Sequence, residues 1–352
     1  MIWLTWRQFR TQALAALGAV VVVGLLFALT GPQLAQLADS TGLSGCAGTT
    51  CGTATSEFFD KVKADSLYPL LYFVGAGLLA LVPAAIGIFW GAPLVSREVE
   101  TGTFRLAWSQ SVTRTRWLAV KLGVVGLAAV AVSALLSLLI TWWSSPIDHA
   151  AALPGGGQDL GQALPDRFMP LIFGARDLLP VGCAVFAFVL GVASGVLARR
   201  LLPAMVVTLA ALTAVQLLLP LAVRPHYETP EKTTSALVLS DHRPGIALRI
   251  DGTTAQVSEP VSVPGGWVTS VRTVDSSGTP WNGPAPQACG GSGTTPEQCM
   301  AAINALHLNQ IAEYQPADRY WTFQWIETGL YLTGSALLAA FSAWRIRGLR
   351  LN

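Results

Sequence analysis

Long apolar runs recur along this 352-residue chain and restrict what it can fold into. Each has about 18 residues or more, enough for a helix to cross about 30 Å of hydrocarbon. A β-barrel is disfavoured, because barrel strands alternate apolar and polar residues over about ten positions. Charged residues make up only 12% of the chain, against about 25% in soluble domains. The sequence therefore predicts an all-α polytopic membrane protein with six transmembrane helices, at 13–30, 67–92, 117–142, 178–198, 201–223 and 321–344.

The basic residues predict how these helices are oriented. With the N-terminus placed in the cytoplasm, more than half of the 22 Lys and Arg residues fall in the short inside segments. This asymmetry satisfies the positive-inside rule, so both termini are predicted to be cytoplasmic. Arg far outnumbers Lys, and Ala and Gly are abundant, which fits a GC-rich bacterial genome. For such a helical membrane protein we expect the plasma (inner) membrane. The inside set is Arg7, Arg10, Arg97, Arg105, Arg114, Arg116, Lys121, Arg199, Arg200, Arg345, Arg347 and Arg350.

The first apolar run could also be a cleaved signal peptide, with Arg7 and Arg10 as its basic region. The residues before the run are amphipathic, however, because they include Trp3, Trp6 and Phe9. The run is also long for a signal peptide, and its removal would leave an odd number of spans. We therefore expect the segment to be retained.

The same patterns predict the domain organisation. Residues 1–12 are predicted to form an amphipathic interfacial helix, followed by the first five spans within 13–223. A structured cytoplasmic loop is predicted at 93–116, and 321–352 hold the last span and a cytoplasmic tail. Between them, 224–320 alternate first like strands and later like a helix. This segment predicts a small α+β extracytoplasmic domain between helices 5 and 6.

Four of the five cysteines form close-spaced pairs in predicted outside segments. Cys46 and Cys51 fall in the first outside loop, and Cys289 and Cys299 in the large outside segment. In an oxidising compartment such pairs predict two local disulfides. A zinc site is the alternative, but neither pair has a neighbouring His. Cys183 stands alone within the fourth predicted span.

Sequence motifs for catalysis are missing. No Lys follows a Gly anywhere in the chain, which excludes the Gly-Lys-Ser/Thr phosphate loop, so we expect no ATP binding by this chain. The histidines His149, His226, His242 and His307 are scattered, and none belongs to a His-Glu-x-x-His motif. We therefore expect no catalytic residue, no metal site and no cofactor, and nothing indicates nucleic-acid binding.

Polar residues inside the spans are few, and Glu327 is the main one. It lies some six residues into the last predicted span, and a carboxylate within a membrane is a candidate for function. The alternative is that it reaches the outer interface or pairs with Arg319. Gln216 and Gln324 are lesser candidates for a polar pathway, with interhelical hydrogen bonds as their alternative role.

Small residues four positions apart recur in several spans. Such spacing allows helix backbones to approach closely in lipid, although Gly is also common in membrane helices in general. The pairs are Gly87 and Gly91, Ser133 and Ser137, and Gly191 and Gly195.

The predicted cytoplasmic loop is polar and structured in pattern. It carries Glu98 and Glu100, which could bind basic residues of a partner, and Arg105 and Arg114, which could bind acidic ones. A bundle of spans with no energy source of its own and such a loop fits a permease driven by a separate ATPase. The alternative is an anchoring loop with no partner.

Two stretches resemble the permease subunits of type-2 ATP-binding-cassette (ABC) transporters. Residues 97–103 (REVETGT) are similar to the Arg-Glu-x-Glu-x-Gly-Thr stretch that follows span two in that family. Residues 111–114 (SVTR), with Lys121 at the start of span three, are similar to the stretch before that span. Residues 314–327 resemble a subgroup of bacterial members. Six spans, an amphipathic N-terminal helix and a large outer loop before span six are similar too.

This resemblance implies that 93–116 act as a coupling loop. It implies partnership with an ABC-type ATPase that binds the ATP, and with a second permease copy, identical or different, among membrane lipids. The transport path would follow faces of spans two and five, and the transporter would export an amphiphilic small molecule, lipid or peptide. The docking residues implied are Arg97, Glu98, Glu100, Gly102, Thr103 and Arg105.

Two other classes remain as alternatives. One is a non-transporting membrane sensor, whose ectodomain binds a ligand and signals through the cytoplasmic loop. The other is a membrane-embedded enzyme, which would need a convergent polar cluster within the spans.

Overall fold

The computed structural model describes most of the chain and divides it into two compact units. The first unit comprises Met1–Tyr227 and Tyr320–Asn352, and the second comprises Glu228–Arg319. The described residues are 2–47, 50–102, 113–153, 156, 164–239, 247–251, 254–258, 261, 263–284, 286–289 and 295–348.

The first unit is helical. Two π-helical turns, Gly87–Gly91 and Leu219–Val223, interrupt its helices, and a 3₁₀ turn follows at Arg224–His226. The α-helices are α1 (Ile2–Ser40), α2 (Thr50–Ala64), α3 (Leu67–Ile86), α4 (Ala92–Glu100), α5 (Arg114–Ala152), α6 (Pro170–Gly174), α7 (Leu179–Ala198) and α8 (Leu201–Leu218).

Five segments of the described chain are helical, long and apolar enough to cross a membrane. They are Phe9–Ser40, Leu67–Glu100, Thr115–Ala152, Leu179–Ala198 and Leu201–His226. The sixth predicted span lies in the 29-residue helix Arg319–Arg347, labelled α10 below. That helix is not among the five, because polar residues lower its hydropathy. A sixth span and the orientation of all spans therefore stay predictions.

Helix α1 is continuous across the boundary predicted between an interfacial helix and the first span. It runs from Ile2 to Ser40 with one internal proline, Pro32. The reason is local: residues 11–17 contain no Gly or Pro, so nothing stops the helix there. The predicted interfacial segment is the first part of a longer helix.

The π turn at Gly87–Gly91 lies where α3 and α4 pack against α7. A Cβ added to Gly87 would lie 2.7 Å from the Ala187 oxygen, and one on Gly195 2.7 Å from the Ala92 oxygen. A Cβ on Gly191 would overlap the Gly87 oxygen. Two of the predicted small-residue pairs thus face each other, and their missing side chains let the two backbones touch.

The second unit combines a small sheet, a hairpin and a short helix. Strands β1 (Glu231–Ala236), β4 (Trp267–Val274) and β5 (Asn309–Gln315) form an antiparallel sheet in the order β1-β5-β4. Strands β2 (Ala247–Asp251) and β3 (Thr254–Ser258) form a separate antiparallel pair. The predicted α+β composition is therefore present.

Helix α9 (Pro296–Asn304) of this unit begins with a capping box. The Thr295 hydroxyl accepts a hydrogen bond from the Gln298 N–H, and the Gln298 side chain accepts one from the Thr295 N–H. At the other end, the Asn304 amide accepts from the Leu239 N–H (2.8 Å) and donates to its carbonyl (2.9 Å). The side chain thus takes the place of a strand partner and holds α9 to the unit.

The two predicted cysteine pairs lie at disulfide distance. The Cα atoms of Cys46 and Cys51 are 5.0 Å apart, and those of Cys289 and Cys299 are 4.6 Å apart. The second bond ties the 3₁₀ turn Gln287–Cys289 to α9. Cys183 is buried and carries a free thiol.

The contact between α7 and the π turn leads to a stability prediction. Gly191→Ala should lower the free energy of unfolding by about 1–3 kcal/mol, because its methyl group has no room against the Gly87 backbone. Gly123→Ala in α5 is the matched control, since no atom lies within 4 Å of its added Cβ. The control should be neutral or stabilising by up to about 1 kcal/mol. Unfolding of both variants in detergent tests this, and equal changes would contradict the packing argument.

Candidate functional site

The loop-side end of α4 holds an ion pair with α5. The Lys121 ammonium contacts the Glu98 carboxylate and also donates to the Leu94 oxygen at 3.4 Å. It lies 4.5 Å from the centre of the Trp117 ring. The Lys121 and Glu98 side chains are only 6% and 15% exposed, so this pair is largely removed from water. Removing one partner of such a pair leaves an uncompensated charge, which is costly.

Glu100, the last residue of α4, binds the start of another helix. Its Oε2 accepts a hydrogen bond from the Leu201 N–H at 3.0 Å. Leu201 is the first residue of α8, where backbone N–H groups lack partners within the helix and a negative charge is favourable. The turn before α8 is short: Arg199 adopts a left-handed conformation (φ 54°) and Arg200 an extended one.

These contacts change the interpretation of the two predicted docking acids. The sequence assigned Glu98 and Glu100 to a partner protein, but the structure gives each a partner within the chain. Together they connect α4 to α5 and to α8. The signal missed was Lys121, whose charge lies within the third predicted span and therefore needs a nearby acid.

The other predicted docking residues lie at the exposed end of α4 or beyond it. Arg97 is exposed, and its carbonyl accepts from the Thr101 hydroxyl at 2.8 Å. Gly102 has φ 72°, the left-handed conformation with which glycine commonly ends a helix. Thr103 and Arg105 lie outside the described residues.

A cavity of about 480 Å³ opens beside this junction. Its walls come from α1, the π turn, α4 and α5. The Phe9 and Trp90 rings meet edge to face at 4.8 Å, and the Gln12 amide donates to the Phe89 carbonyl at 3.0 Å. Arg97, Glu98 and Lys121 lie among the lining residues, so the cavity joins aromatic and charged groups.

A second group of charges is buried between the end of α8 and α10. Arg224 donates to both oxygens of Glu327, at 3.0 and 3.1 Å, and the two side chains are 1% and 2% exposed. The guanidinium also lies 3.9 Å from the centre of the Phe173 ring and donates to the Phe168 oxygen at 3.4 Å. Two parallel hydrogen bonds of this kind give a strong and geometrically fixed pair.

The partner proposed for Glu327 from the sequence is wrong. Arg319 belongs to the second unit and contacts Glu228 and Glu231 there. Glu327 is instead buried against Arg224. The predicted span ended at residue 223, but the π turn and the 3₁₀ turn carry the chain on and bring Arg224 into the bundle.

The two glutamines proposed for a pathway differ in their contacts. Gln324 is buried and accepts from the Leu179 N–H at 3.1 Å. Its amide nitrogen donates to the Phe173 oxygen and the Tyr320 hydroxyl, both at 3.2 Å. This is the interhelical hydrogen bonding named as its alternative role. Gln216 is half-buried and makes only long contacts, at 3.5 Å, to the Ala80 oxygen and the Cys183 thiol.

A further ion pair was not anticipated from the sequence. Arg176 binds Asp148 through both terminal guanidinium nitrogens, with Nη1 to Oδ1 at 3.0 Å, and it also contacts the Ser144 hydroxyl. Nearby, burial raises the pKa of the Asp166 carboxyl, although the backbone N–H groups of Phe168 and Met169 donate to it and oppose this shift.

Among the residues that the structure describes, no group of three or more His, Cys, Asp or Glu side chains could hold a metal ion.

The fold and these contacts define a multi-pass helical membrane protein with a small α+β unit inserted before its last helix. The model of the family described as "ABC-2 membrane transporter related" matches residues 17–224, more than half of the chain, so the chain belongs to that family. The predicted relationship to type-2 ABC permeases is confirmed. Proteins of this family are membrane subunits without an ATPase domain of their own. No curated protein and no solved structure matches the chain.

The Arg224–Glu327 pair leads to a second stability prediction. Glu327→Gln should lower the free energy of unfolding by roughly 3–5 kcal/mol, because it leaves the Arg224 charge buried without its counter-ion. Glu57→Gln, which removes the same charge from an exposed pair with Lys61, should change it by no more than about 1 kcal/mol. Unfolding of the purified variants in mixed micelles measures both.

A double replacement separates the buried charge from the packing. Arg224→Met combined with Glu327→Leu should recover most of the stability lost in Glu327→Gln, since both charges are then absent. If the double variant were less stable than Glu327→Gln, the loss would come from packing and not from an unpaired charge.

Proposed function

We propose that this chain is the membrane-spanning permease subunit of an ATP-driven ABC exporter in a bacterial plasma membrane. It moves an amphiphilic small molecule, lipid or peptide, and a separate ABC-type ATPase binds and hydrolyses the ATP. A second permease copy, identical or different, completes the transporter among membrane lipids, and this chain needs no cofactor. Membership of the ABC-2 family supports a role as the membrane subunit of a transporter. Because such subunits work with an ABC-type ATPase in general, it also supports a partner of that kind.

The observation that carries this proposal is the junction at the end of α4. Glu98 pairs with Lys121 of α5, and Glu100 binds the first residue of α8. A force applied at this end acts on α4, α5 and α8 together, because polar contacts join all three. Such a junction is what a permease needs if it converts movement of a soluble ATPase into movement of spans.

Docking of the ATPase then falls to Arg97, which is exposed, and to the loop sequence that follows α4. Arg97 and Gly102 lie at the end of α4, and Thr103 and Arg105 continue the same segment of sequence. Glu98 and Glu100 support docking indirectly, by holding the loop's root in position. Of the pathway candidates, Gln216 is the one that we retain, because Gln324 and Glu327 are occupied by buried partners.

The experiment that tests this function is co-purification with a cassette ATPase in mild detergent, followed by an ATPase assay. We expect a stable complex whose ATP turnover depends on this chain. No complex with any candidate ATPase, together with ligand binding by the isolated second unit, would favour a sensor and overturn the permease proposal.

A charge swap distinguishes indirect from direct action of Glu98. Glu98→Lys should reduce permease-dependent ATP turnover by about tenfold or more, because two positive charges then meet in a largely buried site. Adding Lys121→Glu restores opposite charges and should return turnover to within about threefold of the original. Glu57→Lys, on α2, is a control that changes charge at an exposed position.

The swap is informative only when the variants insert and fold normally. Membrane yield and unfolding midpoint are therefore measured alongside ATP turnover. If the double variant folds as the original does but stays uncoupled, Glu98 acts on the ATPase directly and the positioning role is wrong.

A further inference from the structure

The cavity beside the α4 junction has two chemically different ends. Its lining includes the aromatic side chains of Phe9, Phe89 and Trp90 and the cationic side chains of Arg97 and Lys121. Arg97 lies about two helical turns beyond Trp90, which separates the two kinds of group along the cavity. Phe89 is 54% exposed while Trp90 is buried, so the aromatic end opens onto the outer surface of the helices. A ligand for this site needs an apolar part and a polar part next to each other.

The charges of the lining residues favour an anion. Arg97 and Lys121 contribute two positive charges and Glu98 one negative charge, which leaves one net positive charge. The Lys121 ammonium uses two donors, on Glu98 and on the Leu94 carbonyl, and an ammonium has three. Arg97, at the exposed end, presents a guanidinium, whose fork of donors suits a phosphate.

The position of the cavity also fits a lipid. Trp90 lies near the end of the second span predicted from the sequence and Lys121 near the start of the third, so these predicted spans place the cavity at the membrane–water boundary. On the orientation predicted from the basic residues, this is the cytoplasmic boundary, where the leaflet carries anionic lipids. Basic pockets between helices at this level suit lipid head groups, and aromatic rings suit the adjoining interface.

We propose that this cavity binds the head group of an anionic phospholipid from the inner leaflet. The phosphate lies between Arg97 and Lys121, and the first acyl methylenes lie against Phe89 and Trp90. A volume of about 480 Å³ is within the range of small-molecule sites, roughly 300–1,000 Å³. It accommodates a head group while the rest of the lipid stays in the bilayer.

The lipid would join α1, α4 and α5 at the point where the spans meet the loop. The site is a property of this chain alone and does not depend on the proposed transport function. A side chain of the ATPase is the other possible occupant of the cavity. The exposed Phe89 favours the lipid, because it continues the apolar surface of the span.

The test uses the full purified chain in detergent without any ATPase. Native mass spectrometry measures binding of phosphatidylglycerol and, as the neutral comparison, phosphatidylcholine. We expect phosphatidylglycerol to bind more tightly, and Arg97→Gln to weaken its binding by roughly fivefold to tenfold, with a smaller loss for phosphatidylcholine, whose phosphate is offset by its own choline cation. Arg200→Gln is the matched control, because Arg200 is exposed in another predicted inside turn and does not line the cavity.

Two further measurements locate the bound lipid. Leu94→Trp, which fills the cavity from its wall without changing charge, should also weaken phosphatidylglycerol binding. A photoactivatable phosphatidylglycerol should cross-link to the segment that contains Phe89 and Trp90. Unfolding midpoints of Leu94→Trp and Arg97→Gln equal to that of the unmodified chain exclude a folding defect as the cause of weaker lipid binding.

Several outcomes would overturn the proposal. These are equal binding of the two lipids, equal losses in Arg97→Gln and Arg200→Gln, or cross-links outside the cavity walls. Displacement of the cross-link by millimolar inorganic phosphate alone would show a free-phosphate site instead of a lipid site. Since no ATPase is present, these outcomes are independent of whether the chain couples to one.

Discussion

Charges buried in an apolar bundle need partners within the chain, and this requirement fixes how the helices of the first unit fit together. Among the residues that the structure describes, three ion pairs meet this requirement, and their members are 23, 28 and 103 residues apart in sequence. Each pair joins segments that hydrophobic contact alone would leave free to slide, because apolar side chains pack against lipid and protein with similar energies. The pairs are Lys121–Glu98, Arg176–Asp148 and Arg224–Glu327.

Close backbone contact complements these pairs in the middle of the unit. Gly87 and Gly91 in the π turn lie on Gly191 and Gly195 of α7, where a methyl group on either side would meet backbone atoms. Van der Waals contact is the main attraction available between helices in lipid, and it weakens steeply with distance. Packing therefore holds the segment that leads to α4 against α7. At the end of α4, Glu98 joins it to α5 and Glu100 joins it to α8.

Local features of this protein could be predicted from sequence, whereas contacts between distant segments could not. Apolar run length, close cysteine spacing and Gly pairs are properties of one segment, and the corresponding helices, disulfides and helix contact are present. The partners of Glu98, Glu100 and Glu327 depend on which helices are neighbours, and hydropathy does not contain this information. The sequence placed Arg224 at the start of the segment before the last span, whereas a 3₁₀ turn directly after the apolar π turn keeps it with the first unit.

The internal use of Glu98 and Glu100 changes how recognition at the loop is understood. Glu98 and Glu100 hold α4, α5 and α8 together, so under the proposed function recognition of the ATPase rests mainly on Arg97 and on the sequence that follows Gly102. Arg97 also lines the cavity beside α1, where a phospholipid head group would meet it. A lipid phosphate there would compete with acidic groups of a docked protein for the same guanidinium. Docking and lipid binding would then be linked through the Arg97 side chain. An excess of anionic lipid would weaken docking of the ATPase, and a docked ATPase would weaken lipid binding.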